Sequence, residues 1–196
     1  MLSTLIELQR LKSLERTGWM LRGLAPGSES VADHSYGVVV AAMLLADEMT
    51  ARGVTLNIER VLRMAVLHDW AEARVGDMPR TATRYFGADA RKRAERAAFD
   101  DMVSPLKAGG MSDMYTALHE DYEERASLEA RLVKAADVID LLVQTLAFER
   151  AGARGLDEFW DGVAERYLGL DGVAGEVVNE ALQQLVEERQ RVKSVQ

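Results

Sequence analysis

Residues 132–143 read LVKAADVIDLLV, and this stretch decides the fold because it is apolar on nearly every side of a helix. A helix that is hydrophobic all round is buried, so residues 127–150 are predicted to form the central helix. Asp137 lies in the middle of this stretch. An ionised carboxylate there is costly unless it is paired, hydrogen-bonded or bound to a metal. Lys134, one turn away, leaves a structural ion pair open as the alternative to metal binding.

Two further segments place polar side chains on otherwise apolar helix faces. Ser30 is a candidate N-cap for a long helix in which His34 shares a face with an apolar stripe. A second apolar helix is closed by the neighbours His68 and Asp69. Together with Asp137, these residues offer two imidazoles and two carboxylates, a ligand set that suits Mn, Co, Fe, Ni or Zn. The sequence therefore predicts a buried metal centre that activates water.

Composition predicts a single, all-α domain over residues 1–196. Hydrophobic residues make up 48% of the chain and charged residues 29%, which is ordinary for a globular protein. There are only three prolines, and long segments are rich in strong helix formers. Besides the helices already described, the pattern predicts helices near residues 3–14, 88–104, 111–124, 156–168 and 173–190.

Charge and cysteine content limit the partners. The formal charge of −8 argues against a surface that binds nucleic acid polymers. No apolar run approaches the roughly 20 residues of a membrane-spanning helix. The absence of cysteine agrees with a cytoplasmic protein. We expect a small-molecule ligand, no membrane association and a homodimer.

Other polar residues have a functional and a structural interpretation. Glu72 follows Asp69 by three residues, so it shares the same side if the helix persists. Glu72 and Asp77 could equally be part of a solvated helix face and a turn. His119 lies in a polar run and is predicted to be a surface residue. A solvated helix face is also predicted for the basic residues Arg91, Lys92, Arg93 and Arg96.

The order of the four candidate ligands resembles the H…HD…D signature of the HD-domain metal-dependent phosphohydrolases. The resemblance extends to the branch that contains bacterial 5′-deoxynucleotidases and proteins of the HD-domain-containing protein 2 type. The matching stretches span residues 16–137 and keep their spacing: RTGW (16–19), ESVADH (29–34), LHDWAE (67–72), VGD (75–77), YE (122–123) and LVKAAD (132–137). The resemblance implies a helical bundle in which residues 16–137 carry the core motifs and residues 156–190 add C-terminal helices.

The resemblance also implies roles for residues around the metal. Glu72 and Asp77 would lie beside the attacking water as base, acid or orienting groups. Arg16 would hold the 5′-phosphate, and Lys134 is a second candidate for that task. Trp19 would pack where a ribose 2′-hydroxyl needs room. Its position in a Gly-bearing loop favours exposure of the ring, with a plain core contact at the edge of the loop as the alternative.

The function implied is that of a 5′-nucleotidase acting on (deoxy)nucleoside 5′-monophosphates by attack of metal-activated water. Two alternatives stay open: another HD phosphohydrolase, acting on a cyclic nucleotide, a nucleoside triphosphate or a stringent-response nucleotide, or a nucleotide-binding module without turnover. The sequence departs from the bacterial pattern after Asp77, where a Pro-Thr-Pro-like segment and a lysine are expected. The residues found there have no assigned role: Arg80, Thr81, Thr83 and Arg84.

Overall fold

A computed structural model describes residues 1–163 and 168–195, and most of them are helical. The elements are α1 (Leu2–Leu8) with a 3₁₀ turn (Gln9–Lys12), α2 (Thr17–Met20), α3 (Val31–Ala51), α4 (Ile58–Leu67), α5 (Glu72–Val75), α6 (Arg80–Phe86), α7 (Ala88–Val103), a 3₁₀ turn (Ala108–Gly110), α8 (Met111–Glu124), α9 (Leu128–Arg150), a 3₁₀ turn (Asp157–Phe159) and α10 (Gly172–Val195). The all-α prediction is confirmed, since the β pairing in the described part is one isolated bridge between Glu15 and Ser30. None of the described helices combines the length and apolar character needed to cross a membrane.

Two helix starts follow directly from the local sequence. Ser30 and Asp33 cap α3 reciprocally, since the Asp33 N–H donates to Ser30 Oγ at 3.1 Å and the Ser30 N–H donates to Asp33 Oδ2 at 2.9 Å. This is a capping box with aspartate in the place of the usual glutamate or glutamine. Ser127 caps α9, where its hydroxyl accepts from the Ala130 N–H at 3.0 Å. Both caps satisfy backbone donors that the first helical turn cannot pair internally.

The chain forms two compact units, each built from two segments. The first unit comprises residues 1–36 and 66–124, and thus α1, α2, the first turns of α3 and α5 to α8. One buried cluster in it joins Leu11, Val31, Ala73 and Met102, and Trp70 packs against that cluster. This packing sets the start of α3 and the segment after α4 beside one another. The single domain over residues 1–196 stays a prediction.

The second unit comprises residues 37–65 and 125–196. Its helices α9 and α10 are joined by ion pairs, in which Arg150 meets Glu188 at 2.9 Å and Arg189 meets Glu149 at 2.8 Å. Much of α9 is buried, as its apolar sequence predicts, although Val143 is 48% exposed. Helix α3 comes very close to α9 at Gly37. A Cβ there would lie 1.9 Å from Asp140 Oδ1, so any larger residue would require the Asp140 side chain to shift.

Two predicted helices differ from the structure, and one helix was not predicted. The helix expected over residues 3–14 ends at Leu8 and continues as a 3₁₀ turn. The helix expected near 156–168 is a 3₁₀ turn over Asp157–Phe159 instead, with residues 164–167 outside the described part. Gly155 and Gly162 flank that turn with positive φ angles of 79° and 64°, which stop an α-helix. Helix α6 was not predicted, because Pro79 suggested an end to regular structure, whereas it occupies the N-cap of α6.

His119 is buried, and its prediction as a surface residue is wrong. Its side chain is 2% exposed and stacks on Phe99 of α7, with ring centroids 4.1 Å apart and ring planes 13° from parallel. In the sequence, the polar neighbours Glu120 and Asp121 obscured the fact that His119 lies on a buried face of α8. That face also carries the buried Tyr122, three residues further on.

The burial of His119 predicts a loss of stability in mild acid. Burial lowers the pKa of His119 to about 4, from 6.5 for the exposed side chain. Because the unfolded chain binds this proton more tightly, the stabilisation by neutral His119 is complete above pH 6.5 and declines as the pH falls toward 4. We expect metal-free protein to lose about 2 kcal/mol through this residue between pH 7 and pH 5.

Urea unfolding at both pH values checks this, with His119→Phe as the comparison variant. The variant keeps a ring to stack on Phe99 but cannot bind a proton. Its stability should therefore fall less between pH 7 and pH 5 than that of the wild type. An equal fall in the two proteins would mean that other groups cause the acid sensitivity.

Candidate metal centre

His34, His68 and Asp69 converge in the first unit. His34 lies in the first turn of α3, where its N–H donates to the Ser30 carbonyl at 3.1 Å. His68 and Asp69 follow the last residue of α4 in a turn, closed by the Trp70 N–H on the Leu67 carbonyl at 3.1 Å. The helix ends there, and the two adjacent side chains reach the same site.

The three side chains form a compact group of nitrogen and oxygen donors. Asp69 Oδ2 lies 3.2 Å from His68 Nε2 and 3.7 Å from His34 Nε2. One candidate ligand atom from each residue lies within 4.8 Å of the other two, and both histidines are buried. Metal–ligand bonds of about 2.0–2.2 Å could reach all three atoms from one ion. The group therefore fits a divalent transition metal.

Electrostatics around this group favour a charged Asp69. Burial alone would raise the pKa of Asp69, but the two histidines and Arg16 outweigh burial and hold this pKa below its ordinary value. Arg16 Nη1 lies 3.5 Å from Asp69 Oδ2 and 3.6 Å from Asp77 Oδ1. Arg16 is thus within ion-pair distance of both the candidate ligand Asp69 and Asp77.

Glu72 has the opposite electrostatic environment. Burial, followed by the negative charges of Asp69 and Asp77, holds the pKa of Glu72 well above its ordinary value. The side chain is 4% exposed, and its buried Oε2 has no hydrogen-bond partner among the described residues. A carboxyl group with a raised pKa keeps its proton more readily than an ordinary one, which suits a general acid or base. Glu72 lies in α5, directly after the turn that carries Asp69.

Asp77 connects this region to the segment that carries Arg16. The Thr17 N–H donates to Asp77 Oδ2 at 2.5 Å, and the Thr17 hydroxyl donates to the Asp77 carbonyl at 2.7 Å. Asp77 therefore fixes the N-terminus of α2 in addition to facing the Arg16 guanidinium. Its interpretation as a turn former and its predicted catalytic role are compatible in this geometry.

Trp19 is buried, and the expectation that it is exposed in a loop is wrong. The residue lies in α2 with 2% of its surface exposed. Its indole N–H donates to the carboxylate of Glu29, which is itself 6% exposed. Burial of the ring and its polar tip accounts for the position, since an indole N–H buried without a partner is costly. Packing of Trp19 against a nucleotide sugar stays a prediction.

Asp137 and Lys134 lie in the second unit, on α9. Lys134 Nζ donates to Asp137 Oδ2 at 2.5 Å, so the ion pair that the sequence left open is present. Ligation of a metal by Asp137 and contact of Lys134 with phosphate both stay predictions.

Two groups near the centre were missed by the sequence interpretation. Arg91 was expected on a solvated face, but it is half-buried in α7 and its Nε donates to Glu95 Oε1 at 2.6 Å. The charge of Arg91 also acts on Glu72, where it opposes the rise in pKa. The i,i+4 spacing of Arg91 and Glu95 was visible in the sequence. Glu29 could not be found from the spacing of apolar residues along a helix, because it precedes the N-cap of α3.

The segment after Asp77 shows no assigned chemistry. Thr81 and Arg84 are exposed on α6, and the Arg84 guanidinium lies 4.7 Å from the centroid of the Tyr85 ring. Thr83 is partly buried.

The HD-domain family model matches residues 8–165 of the chain. The chain belongs to the HD-domain family. This HD-domain protein is 32% identical over 160 residues to the 5′-deoxynucleotidase HDDC2 of Xenopus laevis, a match that covers 81% of this chain and 75% of the relative. It is 31% identical over 190 residues to the 5′-deoxynucleotidase hdd1 of Schizosaccharomyces pombe, covering 94% and 91% of the two chains. The crystal structure of the PH0347 protein from Pyrococcus horikoshii matches with a TM-score of 0.79 and 32% identity, covering 96% and 99%.

The Lys134–Asp137 pair gives a direct test of ligation. We expect Asp137→Ala to lose the bound metal, because the remaining donors hold the ion less well. Lys134→Met should keep it, since the Asp137 carboxylate is still present. Metal content of both purified variants, measured by elemental analysis, decides between the two roles. Full occupancy in Asp137→Ala would make Asp137 a structural residue paired with Lys134.

Proposed function

We propose that this HD-domain protein is a metal-dependent phosphomonoesterase, a 5′-deoxynucleotidase that acts on deoxynucleoside 5′-monophosphates. The observation that carries the proposal is the group formed by His34, His68 and Asp69, with Glu72 and Arg16 beside it. The names of the two 5′-deoxynucleotidase relatives support the substrate class. When bound, a divalent metal would lower the pKa of water and offset charge on the phosphoryl oxygens.

Arg16 is our proposed phosphate contact. Its guanidinium is mostly buried and faces Asp69 and Asp77 at 3.5 and 3.6 Å, so it stands beside the ligand group with its charge in a partly desolvated setting. A planar guanidinium can donate two parallel hydrogen bonds to phosphate oxygens. In this arrangement Asp77 and Thr17 hold the segment that carries Arg16, while Arg16 orients the dianion.

Glu72 is our proposed proton-transfer residue. Its raised pKa favours the protonated carboxyl group, unlike Asp69, whose lowered pKa favours the carboxylate. Two carboxyl groups three residues apart thus have opposite protonation preferences. We assign Asp69 to metal binding and Glu72 to the proton that passes between water and the leaving alkoxide.

The metal and the assembly complete the proposal. We infer Mn, Co, Fe, Ni or Zn as the ion, with Mg a poor substitute, because imidazole nitrogens suit transition metals better than Mg²⁺. We also infer a cytoplasmic homodimer without a nucleic acid polymer or a membrane as partner.

Phosphate release from a panel of nucleotides tests the function. We expect metal-loaded protein to release inorganic phosphate from dAMP, dGMP, dCMP and dTMP, with little difference among the bases. The matching ribonucleotides should react more slowly. Equal rates on AMP and dAMP would disprove the preference for deoxynucleotides and leave the phosphomonoesterase proposal standing. Release of phosphate from none of these nucleotides, with any of the five metals, would disprove the proposed function.

Replacing Glu72 should separate turnover from metal binding. Glu72→Gln should keep the metal and lower kcat about 10²- to 10⁴-fold, the range that one general acid or base contributes. Glu124→Gln, at an exposed position on α8, is the matched control and should behave as the wild type. Loss of the metal from Glu72→Gln would reassign Glu72 as a ligand.

Replacing Arg16 should affect every substrate alike. Arg16→Lys keeps the charge but loses the planar fork, so kcat/KM should fall about 10- to 100-fold on each nucleotide, as expected for a lost charged hydrogen bond. Arg63→Lys, in an exposed pair with Glu59, is the control. A fall confined to one nucleotide would instead place Arg16 against the base.

A further inference from the structure

Two hydrogen bonds fasten the Arg16 segment to Glu29, the residue that precedes the cap of α3, and a third lies within the segment. The Arg16 N–H donates to the Glu29 carbonyl at 3.1 Å, and the Trp19 N–H donates to the Arg16 carbonyl at 3.1 Å. The indole N–H of Trp19 then closes the loop by donating to the Glu29 carboxylate. Glu29 is therefore held through both its backbone and its side chain.

Glu29 is an unusual residue to bury at this point. Only 6% of its surface is exposed, and an ionised carboxylate in such a place needs strong partners. Trp19, 2% exposed, supplies one donor from a position that packing fixes. A buried carboxylate with a fixed donor has a defined orientation, unlike a carboxylate on the surface.

The same carboxylate lies next to a candidate metal ligand. One oxygen of Glu29 and one ring nitrogen of His34 are within 4.8 Å of each other. The charges that face His34 in the first unit thus include Glu29 as well as Asp69, whose Oδ2 is 3.7 Å from His34 Nε2. Carboxylates near a ligating histidine commonly set its ring orientation and tautomer, and their loss weakens metal binding about 10- to 100-fold.

We propose that Glu29 is a positioning residue that sets the ring of His34 for metal binding, and that Trp19 acts on the metal centre by holding the Glu29 carboxylate. The proposal rests on His34 as a ligand. It gives the indole N–H of Trp19 a task separate from any contact between the ring and a sugar. It also links the Arg16 segment to the metal ligand through one side chain.

Metal binding by the full-length protein tests this without any substrate. Metal-free wild type, Glu29→Gln and Trp19→Phe are titrated with Co²⁺ against a competing chelator, and the visible spectrum of the bound ion is recorded. Glu29→Gln should bind Co²⁺ about 10- to 100-fold more weakly with an altered spectrum. Trp19→Phe, which keeps an aromatic ring but lacks the N–H, should change in the same direction by a smaller factor.

Glu15→Gln is the matched control. Glu15 lies in the same segment, and its Oε1 accepts from the Gly27 N–H at 3.0 Å, so it too ties the segment together. It is not in the group of potential ligands around His34. We expect wild-type affinity for Co²⁺ in Glu15→Gln, even if thermal melting shows that the variant is slightly less stable.

Nitrogen NMR of histidine adds a readout at the residue itself. The chain has three histidines, so selective ¹⁵N labelling gives a spectrum that can be assigned by single substitution. In metal-free protein, Glu29→Gln should shift the ring nitrogens of His34. Those of His119, which is stacked on Phe99, should stay in place.

Unchanged Co²⁺ affinity and unchanged His34 signals in Glu29→Gln would overturn the proposal, whatever happens to its melting temperature. Trp19→Phe is measured in either case. If Glu29→Gln does not fold, wild-type affinity and His34 signals in Trp19→Phe overturn the proposal on their own. A protein that binds Co²⁺ as expected but releases no phosphate would contradict the proposed function and leave this inference intact.

Discussion

The buried carboxylate of Asp69 is the constraint on which the rest of the site depends. Removing a carboxylate from water is costly, and the protein offsets this cost by placing two imidazoles and the Arg16 guanidinium within 4 Å of its Oδ2. These groups come from three separate places in the chain: the connection before α2, the first turn of α3 and the end of α4. Each of those elements must therefore pack correctly before Asp69 can be buried in its charged form.

The position of Arg16 follows from the same constraint. Its guanidinium is attracted by Asp69 and by Asp77, so without other cations it offsets the charge of two carboxylates. A divalent ion on Asp69 would take over part of that neutralisation. The guanidinium would then have donors available for a phosphate dianion. Metal binding and anion binding are thus expected to favour one another through Asp69.

The sequence predicted what depends on local chemistry. The cap at Ser30 was predicted because a capping hydroxyl and its partner lie within one turn. The candidate ligands His34, His68 and Asp69 were predictable because a polar residue on an apolar helix face is costly to bury unless it has a partner or a ligand. The burial of His119 was missed because the residues between it and Tyr122 are polar. They obscured the i,i+3 spacing that places His119 and Tyr122 on one buried face of α8. The Trp19–Glu29 bond was missed for a different reason, since it joins residues in an irregular connection that has no period.

The role of Trp19 must agree both with the family resemblance and with the burial of its ring. The motif RTGW implies an aromatic residue near the sugar, and such a role requires part of the ring to meet the ligand. The structure buries the ring and engages its N–H with Glu29. Contact with a sugar and burial of the ring are compatible if one edge of the ring contributes to the wall of the site. The indole N–H would then anchor that wall to the residue before α3. The indole is suited to this because its polar tip and its apolar face point in different directions. Phenylalanine could supply the face, but only tryptophan supplies both the face and this hydrogen bond.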